Sequence, residues 1–301
     1  MKPHLKSVDY NYNYDIDKDI KILLVRRKKE ESDIENRERV NDSLFREVFS
    51  RIREHKDFQI KKEDAKNVFI KFLNYNRLII DVIQDEFNFS CPDEALRLIH
   101  LVMDKFHKIN SPTCRIGKTA CFHRIFSNTS YWMFLSISSL LIKENMLIDL
   151  NNLINYRPAL DNTKKSDTYL IYFNHWIKTD LDSDLFKYML SLLQDDDVLS
   201  DLIDAEIMLL IYSCNVNDNK NKWIPTFTAL IAKDFRFRSV FCNGLPFLEK
   251  MKNEVEFKKI SEAFNFQTRE ELLEKLKKYD DCIGLRLASK YIFDAIESPS
   301  L

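Results

Sequence analysis

Three glycines in 301 residues restrict this chain more than any other feature of its sequence. Glycine reaches positive φ and lets backbones approach closely, and its average usage is about 7%. Tight hairpins, dinucleotide-binding turns and phosphate loops all need it at fixed places. Gly117, Gly244 and Gly284 stand far apart, so multi-glycine loops are excluded. Helices joined by Asn, Asp, Ser and Pro tolerate the shortage, and the expectation is an all-α fold. Apolar residues at 45%, with 22 Phe, 12 Tyr and 3 Trp, supply a core and exclude a disordered chain.

Residues 1–19 are polar and aperiodic and read as a flexible N-terminal arm; 20–301 read as a single helical domain. Ile20 to Val25 is a short apolar run, either a strand or the start of a helix. The basic cluster Arg26-Arg27-Lys28-Lys29 that follows it fits a solvated face or a nuclear import signal. From Ser32 to Lys56 the spacing predicts a helix, with Val40, Leu44, Val48 and Ile52 every fourth residue. A second runs from Lys62 toward Phe87, with a break expected at Asn74-Tyr75-Asn76, where propensity is weak. Ser90-Cys91-Pro92-Asp93-Glu94 reads as a Ser-capped helix start. Separate helices are expected over Pro112–Phe126 and Tyr131–Lys143. Later ones fall near 147–156, 167–179, 183–194, 197–213, 225–241, 244–264 and 268–297, with exposed loops at 155–163 and 215–222.

Helix pairs at this spacing recur every ~35–45 residues, a period found in helical-repeat arrays. In the closing stretch, Asp281 to Ile296, the residues Leu285, Ala288, Ile292 and Ile296 share one helical face, and Arg286 follows Leu285. Ile116-Gly117 with Ala120 echoes Ile283-Gly284 with Ala288. These residues resemble the second helix of a HEAT or armadillo repeat. The resemblance implies an α-solenoid; a compact multi-helix bundle is the other all-α arrangement. Armadillo proteins that hold extended peptides carry Trp followed one turn later by Asn. Here Trp132 is followed by Ser136 and Trp176 by Asp180, so that binding mode is not carried over.

Local chemistry is sparse. Gly117-Lys118-Thr119 matches the end of a phosphate loop, but Pro112 stands where the loop needs its first glycine, and a helix precedes it in place of a strand. Cys91, His100, His107, Cys114, Cys121 and His123 gather in one region without the tight spacing of zinc pairs. HEPN-type ribonucleases are all-α and carry Arg and His with four to six residues between; Arg115/His123, Arg97/His100 and Arg51/His55 all miss that spacing. No catalytic, cofactor or metal residue is assigned.

Charge says more. Net charge is −1, so no global field directs the chain to nucleic acid. Between Arg97 and Arg124, however, six Lys or Arg and three His face one acid, Asp104. Between Lys178 and Glu206, nine acids face Lys178 and Lys187. The two runs read either as docking surfaces of opposite sign or as solvated faces. Arg115, Lys118 and Arg124 are the candidate contacts in the basic run. Phe235, Arg236, Phe237 and Arg238 join aromatic anchors to cations, a composition found in interface hot spots.

The N-terminus lacks an apolar core. The longest near-apolar run, Tyr131 to Ile142, contains three serines and falls short of the ~20 residues that span a bilayer. Six dispersed cysteines suit reduced thiols. The expectation is an intracellular protein, cytoplasmic or nuclear, with no membrane partner and no cofactor. Its expected role is a non-catalytic protein–protein interaction scaffold or adaptor subunit. The alternatives are a helical nucleic-acid-binding subunit using 97–124, and an all-α enzyme of the HEPN kind.

Overall fold

A computed structural model describes residues 16–30, 32–57, 60–61, 63–109, 120–157, 196–213 and 249–277, with isolated positions at 168–169, 184, 187–188, 192, 223, 228 and 231. The described residues contain helices and no strand. In chain order the helices are α1 (Lys18–Lys29), α2 (Ile34–Asp57), α3 (Ala65–Asn88), α4 (Pro92–Ile109), α5 (Ala120–Lys143), α6 (Leu147–Asn155), α7 (Asp196–Ser213), α8 (Glu254–Phe264) and α9 (Arg269–Lys277). Ile20 to Val25 is therefore helix. The folded part already includes Ile16, which is buried, and Asp17, which pairs with Lys71 and Tyr75; the rest of the expected arm, 1–15, lies outside the described residues. So do the Asp281 to Ile296 stretch, the loop 215–222, and most of the helices expected at 167–179, 183–194 and 225–241.

Two expected breaks do not occur. α3 runs straight through Asn74-Tyr75-Asn76. Asn76 donates its amide to the Thr129 carbonyl on α5 at 2.7 Å, and Tyr75 is fully buried, so tertiary contacts override weak propensity. Likewise α5 is one helix where two were expected, crossing Ser127-Asn128-Thr129-Ser130. Thr129 Oγ1 donates to the Ile125 carbonyl at 3.1 Å and Ser130 Oγ to that of Phe126 at 2.6 Å. Back-bonding of this kind lets hydroxyls lie inside a helix without an external partner.

α5 is the centre of the molecule. It packs against α2, α3, α4, α6 and α7, and α6 in turn meets α8. Phe126, fully buried, stacks on Phe106 at 5.2 Å and on Phe122 at 5.5 Å, and Phe72 presents an edge to Phe122 at 6.0 Å. By length and composition Cys121–Lys143 is apolar enough to cross a membrane, yet 94% of its apolar window is buried by the other helices.

None of the three glycines is among the described residues, and the C-terminal ends of α3, α5 and α8 are closed without them. Ser90, Asn145 and Asn265 adopt φ of 61°, 58° and 58°. After α3, the Ser90 N–H bonds to the Phe87 carbonyl and the Cys91 N–H to that of Glu86, both at 2.9 Å. After α5, Asn145 and Met146 do the same with Ile142 and Leu141. This is the Schellman closure, here built on Ser and Asn. Ser90 thus ends α3 and does not cap α4; the Cys91 carbonyl accepts the first helical bond, from Ala95. The helix expected over 244–264 is interrupted by turns at Met251 and Lys252, and Asn253 caps α8 by accepting from Val255 at 2.9 Å and Glu256 at 3.3 Å. Asn145→Val is expected to cost about 1–2 kcal/mol while Asn145→Gly stays near neutral, as read by urea denaturation.

Candidate interaction surface

The basic run from Arg97 to Arg124 is less basic in space than in sequence. Arg97 is held by Glu94 and by Asp42 at 2.8 Å, so carboxylates outside the run cancel its charge. His107 and His123 are buried at 5% and 6% exposure. Arg124 is exposed on α5, where its carbonyl accepts from the Asn128 amide at 2.7 Å. Arg115 and Lys118 lie outside the described residues, as do Phe235, Arg236, Phe237 and Arg238, so Arg124 is the one candidate contact among the described residues.

The acidic run behaves similarly where it is described. Asp204 and Glu206 are buried, Glu206 accepting from the Tyr131 hydroxyl and from the Thr228 N–H at 2.6 Å. Asp201 pairs with Lys143. Part of what counts as acidic surface in the sequence is core. Among the described residues, no group of three His, Cys, Asp or Glu is placed to hold a metal ion.

The structure instead gathers charge where α1, α2, α3 and α4 meet. Glu86 is fully buried and takes two arginines: Arg27 Nη2 at 2.9 Å and Arg37 Nε at 3.0 Å from each carboxylate oxygen. Arg27, 3% exposed, also donates to Asn41 Oδ1 at 2.8 Å and Asp85 Oδ2 at 2.7 Å. Arg37 reaches Cys91 Sγ at 3.2 Å, and Asn41 bridges Glu86 to Glu94. The Phe89 ring lies under both guanidinium groups, 4.8 Å from Arg37 and 5.9 Å from Arg27. Desolvating ions is costly unless each donor finds a partner, and here two planar donor forks converge on one carboxylate.

This cluster left a trace in the sequence. Arg37 and Asn41 continue the stripe of Leu44, Val48 and Ile52, and Glu86 follows Tyr75, Ile79 and Val82 on theirs. A charge in register with an apolar stripe signals burial. The basic cluster after Ile20–Val25 divides accordingly: Arg26, Lys28 and Lys29 are exposed and Arg27 is built into the interior.

Fixing Arg27 inside fixes the rotation of α1. Its outer face then shows Lys18, Ile22, Val25 and Lys29 along one stripe, with Lys21, Lys28 and Arg26 beside it. Ile22 and Val25 are each 56% exposed. Among the described residues, no acid pairs with Lys18, Lys21, Arg26, Lys28 or Lys29. Some other surface cations have an acid within a turn, as Arg39 does Glu35, Lys259 does Glu256 and Lys275 does Glu271, while others, such as Arg46 and Arg53, also pair with no described acid.

At the start of α1 an open cleft of about 680 Å³ is lined by Ile16, Asp17, Val68, Ile70, Lys71 and the amides of Asn67 and Asn74. The Asp17 carboxylate accepts from the Tyr75 hydroxyl and from Lys71 at 3.2 Å. Burial works against its charge, but the Tyr75 and Lys71 hydrogen bonds outweigh it and hold the carboxyl below its ordinary value of 3.8. A lowered folded-state pKa contributes stability above the unfolded value, which is lost as pH falls through the folded one. Asp17→Asn is therefore expected to lower stability near neutrality, and its gap to wild type to close as pH falls below 3.8; urea titrations across the acid range measure this.

No protein-family model, curated protein or solved structure matches the chain.

Proposed function

We propose that the chain is a non-catalytic interaction subunit, a helical scaffold that presents α1 to a protein partner of acidic surface. One observation carries this reading: a buried ionic cluster holds α1 in a single rotation, and the face turned outward combines cations that pair with no described acid with exposed aliphatic side chains. A buried ion cluster contributes little net stability compared with apolar residues of the same volume, and its best-attested use is to fix register. Register matters for a helix whose outer face has to be read.

For the finer architecture, the pairs α1/α2, α3/α4 and α5/α6 follow the order of a helical-repeat array. The packing of α5 against α2 as well as α3, α4, α6 and α7 favours the compact bundle, because repeats in an array contact only their neighbours. The test of the scaffold reading is recovery of the tagged protein from its own cells with and without nuclease. Stoichiometric protein partners that survive nuclease support it. Recovery of the protein alone, or with nucleic acid alone, overturns it.

A further inference from the structure

On that scaffold reading, we infer that the outer face of α1 docks an acidic amphipathic helix, seated along the Lys18–Ile22–Val25–Lys29 stripe. Positions 18, 22, 25 and 29 follow the i, i+4, i+7, i+11 rhythm of a helix–helix seam, with aliphatic side chains at its middle and lysines at its ends. Lys21 and Lys28 flank one side, where a partner helix places its Glu and Asp residues, and Arg26 flanks the other, beside Asp19, which pairs with Arg51. Among the described residues no acid forms an ion pair with these cations, so charge complementarity is left for the partner to supply.

Other occupants fit less well. A second copy meeting this face with its own α1 sets lysine against lysine, a like-charge juxtaposition that is strongly unfavourable. A phosphate backbone answers the cations but leaves Ile22 and Val25 without an apolar partner. A flat anionic membrane answers both, yet it also meets Asp33 and Glu35, exposed immediately beyond the end of α1. A helix about 10 Å wide lies along α1 alone. The strip is roughly 18 by 10 Å, well under the about 800 Å² per partner of a standard interface. Binding through it is therefore weak and sensitive to salt.

The test places a photo-reactive amino acid at position 22 or 25 of the full chain in its native cells, with position 148 as control. Ile148 is 68% exposed on α6, away from α1. The expected result is a cross-link from 22 and 25, absent from 148, to a protein segment with aliphatic residues at helical spacing flanked by Asp and Glu. The Lys21→Glu/Lys28→Glu pair should reduce its yield at least about tenfold, as should Ile22→Ser/Val25→Ser. All four positions are exposed, and unchanged thermal unfolding confirms that the variants fold. A cross-link to lipid, nucleic acid or a second copy, a yield unaffected by charge reversal, or no cross-link at all overturns the inference. If nuclease-resistant partners are recovered in the scaffold experiment while α1 fails this one, the scaffold reading stands and its docking face lies elsewhere.

Discussion

Replacing Glu86 with leucine is expected to destabilise the protein by about 3–5 kcal/mol, a large share of the roughly 5–15 kcal/mol that holds a domain folded. The substitution leaves Arg27 and Arg37, 3% and 2% exposed, without the carboxylate they share. Arg27 retains Asp85 and Asn41, and among its described partners Arg37 retains Cys91. Asp85 is 47% exposed in its side chain, so solvent screens it. A second variant separates the charges from the fold. Arg27→Met/Arg37→Leu/Glu86→Leu removes both arginines and the carboxylate they share at once, and stability is expected to return to within about 2 kcal/mol of wild type or above it. If the cluster exists to set register, the triple variant stays folded while amide exchange along α1 quickens and binding through its outer face weakens. Equilibrium urea denaturation gives the first quantity and hydrogen exchange the second. A single Glu86→Leu variant as stable as wild type would sink the account of the cluster.

The second large effect is expected at Phe126→Ala, again about 3–5 kcal/mol. Phe126 is fully buried on α5, parallel to Phe122 and Phe106 with interplanar angles of 10° and 16°, and Phe72 meets it edge-on. Truncation removes the middle ring of a stack that ties α3 and α4 to the central helix. The hole it leaves is bounded by large rings that cannot collapse into it. Phe126→Leu keeps most of the volume and is expected to cost clearly less. Phe89, 37% exposed and held by its contacts with Arg27 and Arg37, is the comparison: Phe89→Ala is expected to cost about 1 kcal/mol. Thermal unfolding of the three variants side by side checks the order.

The surface assignment shows where sequence and structure part company. Counting charges along the chain places the basic surface at 97–124, because the count includes only neighbours in sequence. Asp42 lies on α2 and Glu94 just outside the run, and both turn to Arg97. Four cations at Arg26 to Lys29 are identical in kind on paper, yet Arg27 faces Glu86, fifty-nine residues away. What was legible was that Arg37, Asn41 and Glu86 occupy apolar stripes; which of them meet was not, since a stripe specifies burial and not a partner.

The sequence by itself determined the helical class, because three glycines leave hairpins and phosphate loops unbuildable while Asn and Ser still close helices, as Asn145, Asn265 and Ser90 do. It also determined the buried faces of α2, α3 and α4, because period and apolarity are properties of the chain alone. Tertiary structure decided the rest. It carried α3 through Asn74–Asn76 and α5 through Ser127–Ser130, where a cross-helix bond from Asn76 and back-bonded hydroxyls offset weak propensity. That Tyr131 to Lys143 belongs in the middle was legible from a stretch apolar on nearly every side, but tertiary structure chose which side of α1 faces out. Those outcomes rest on contacts between residues dozens of positions apart, and local periodicity holds no record of such pairings.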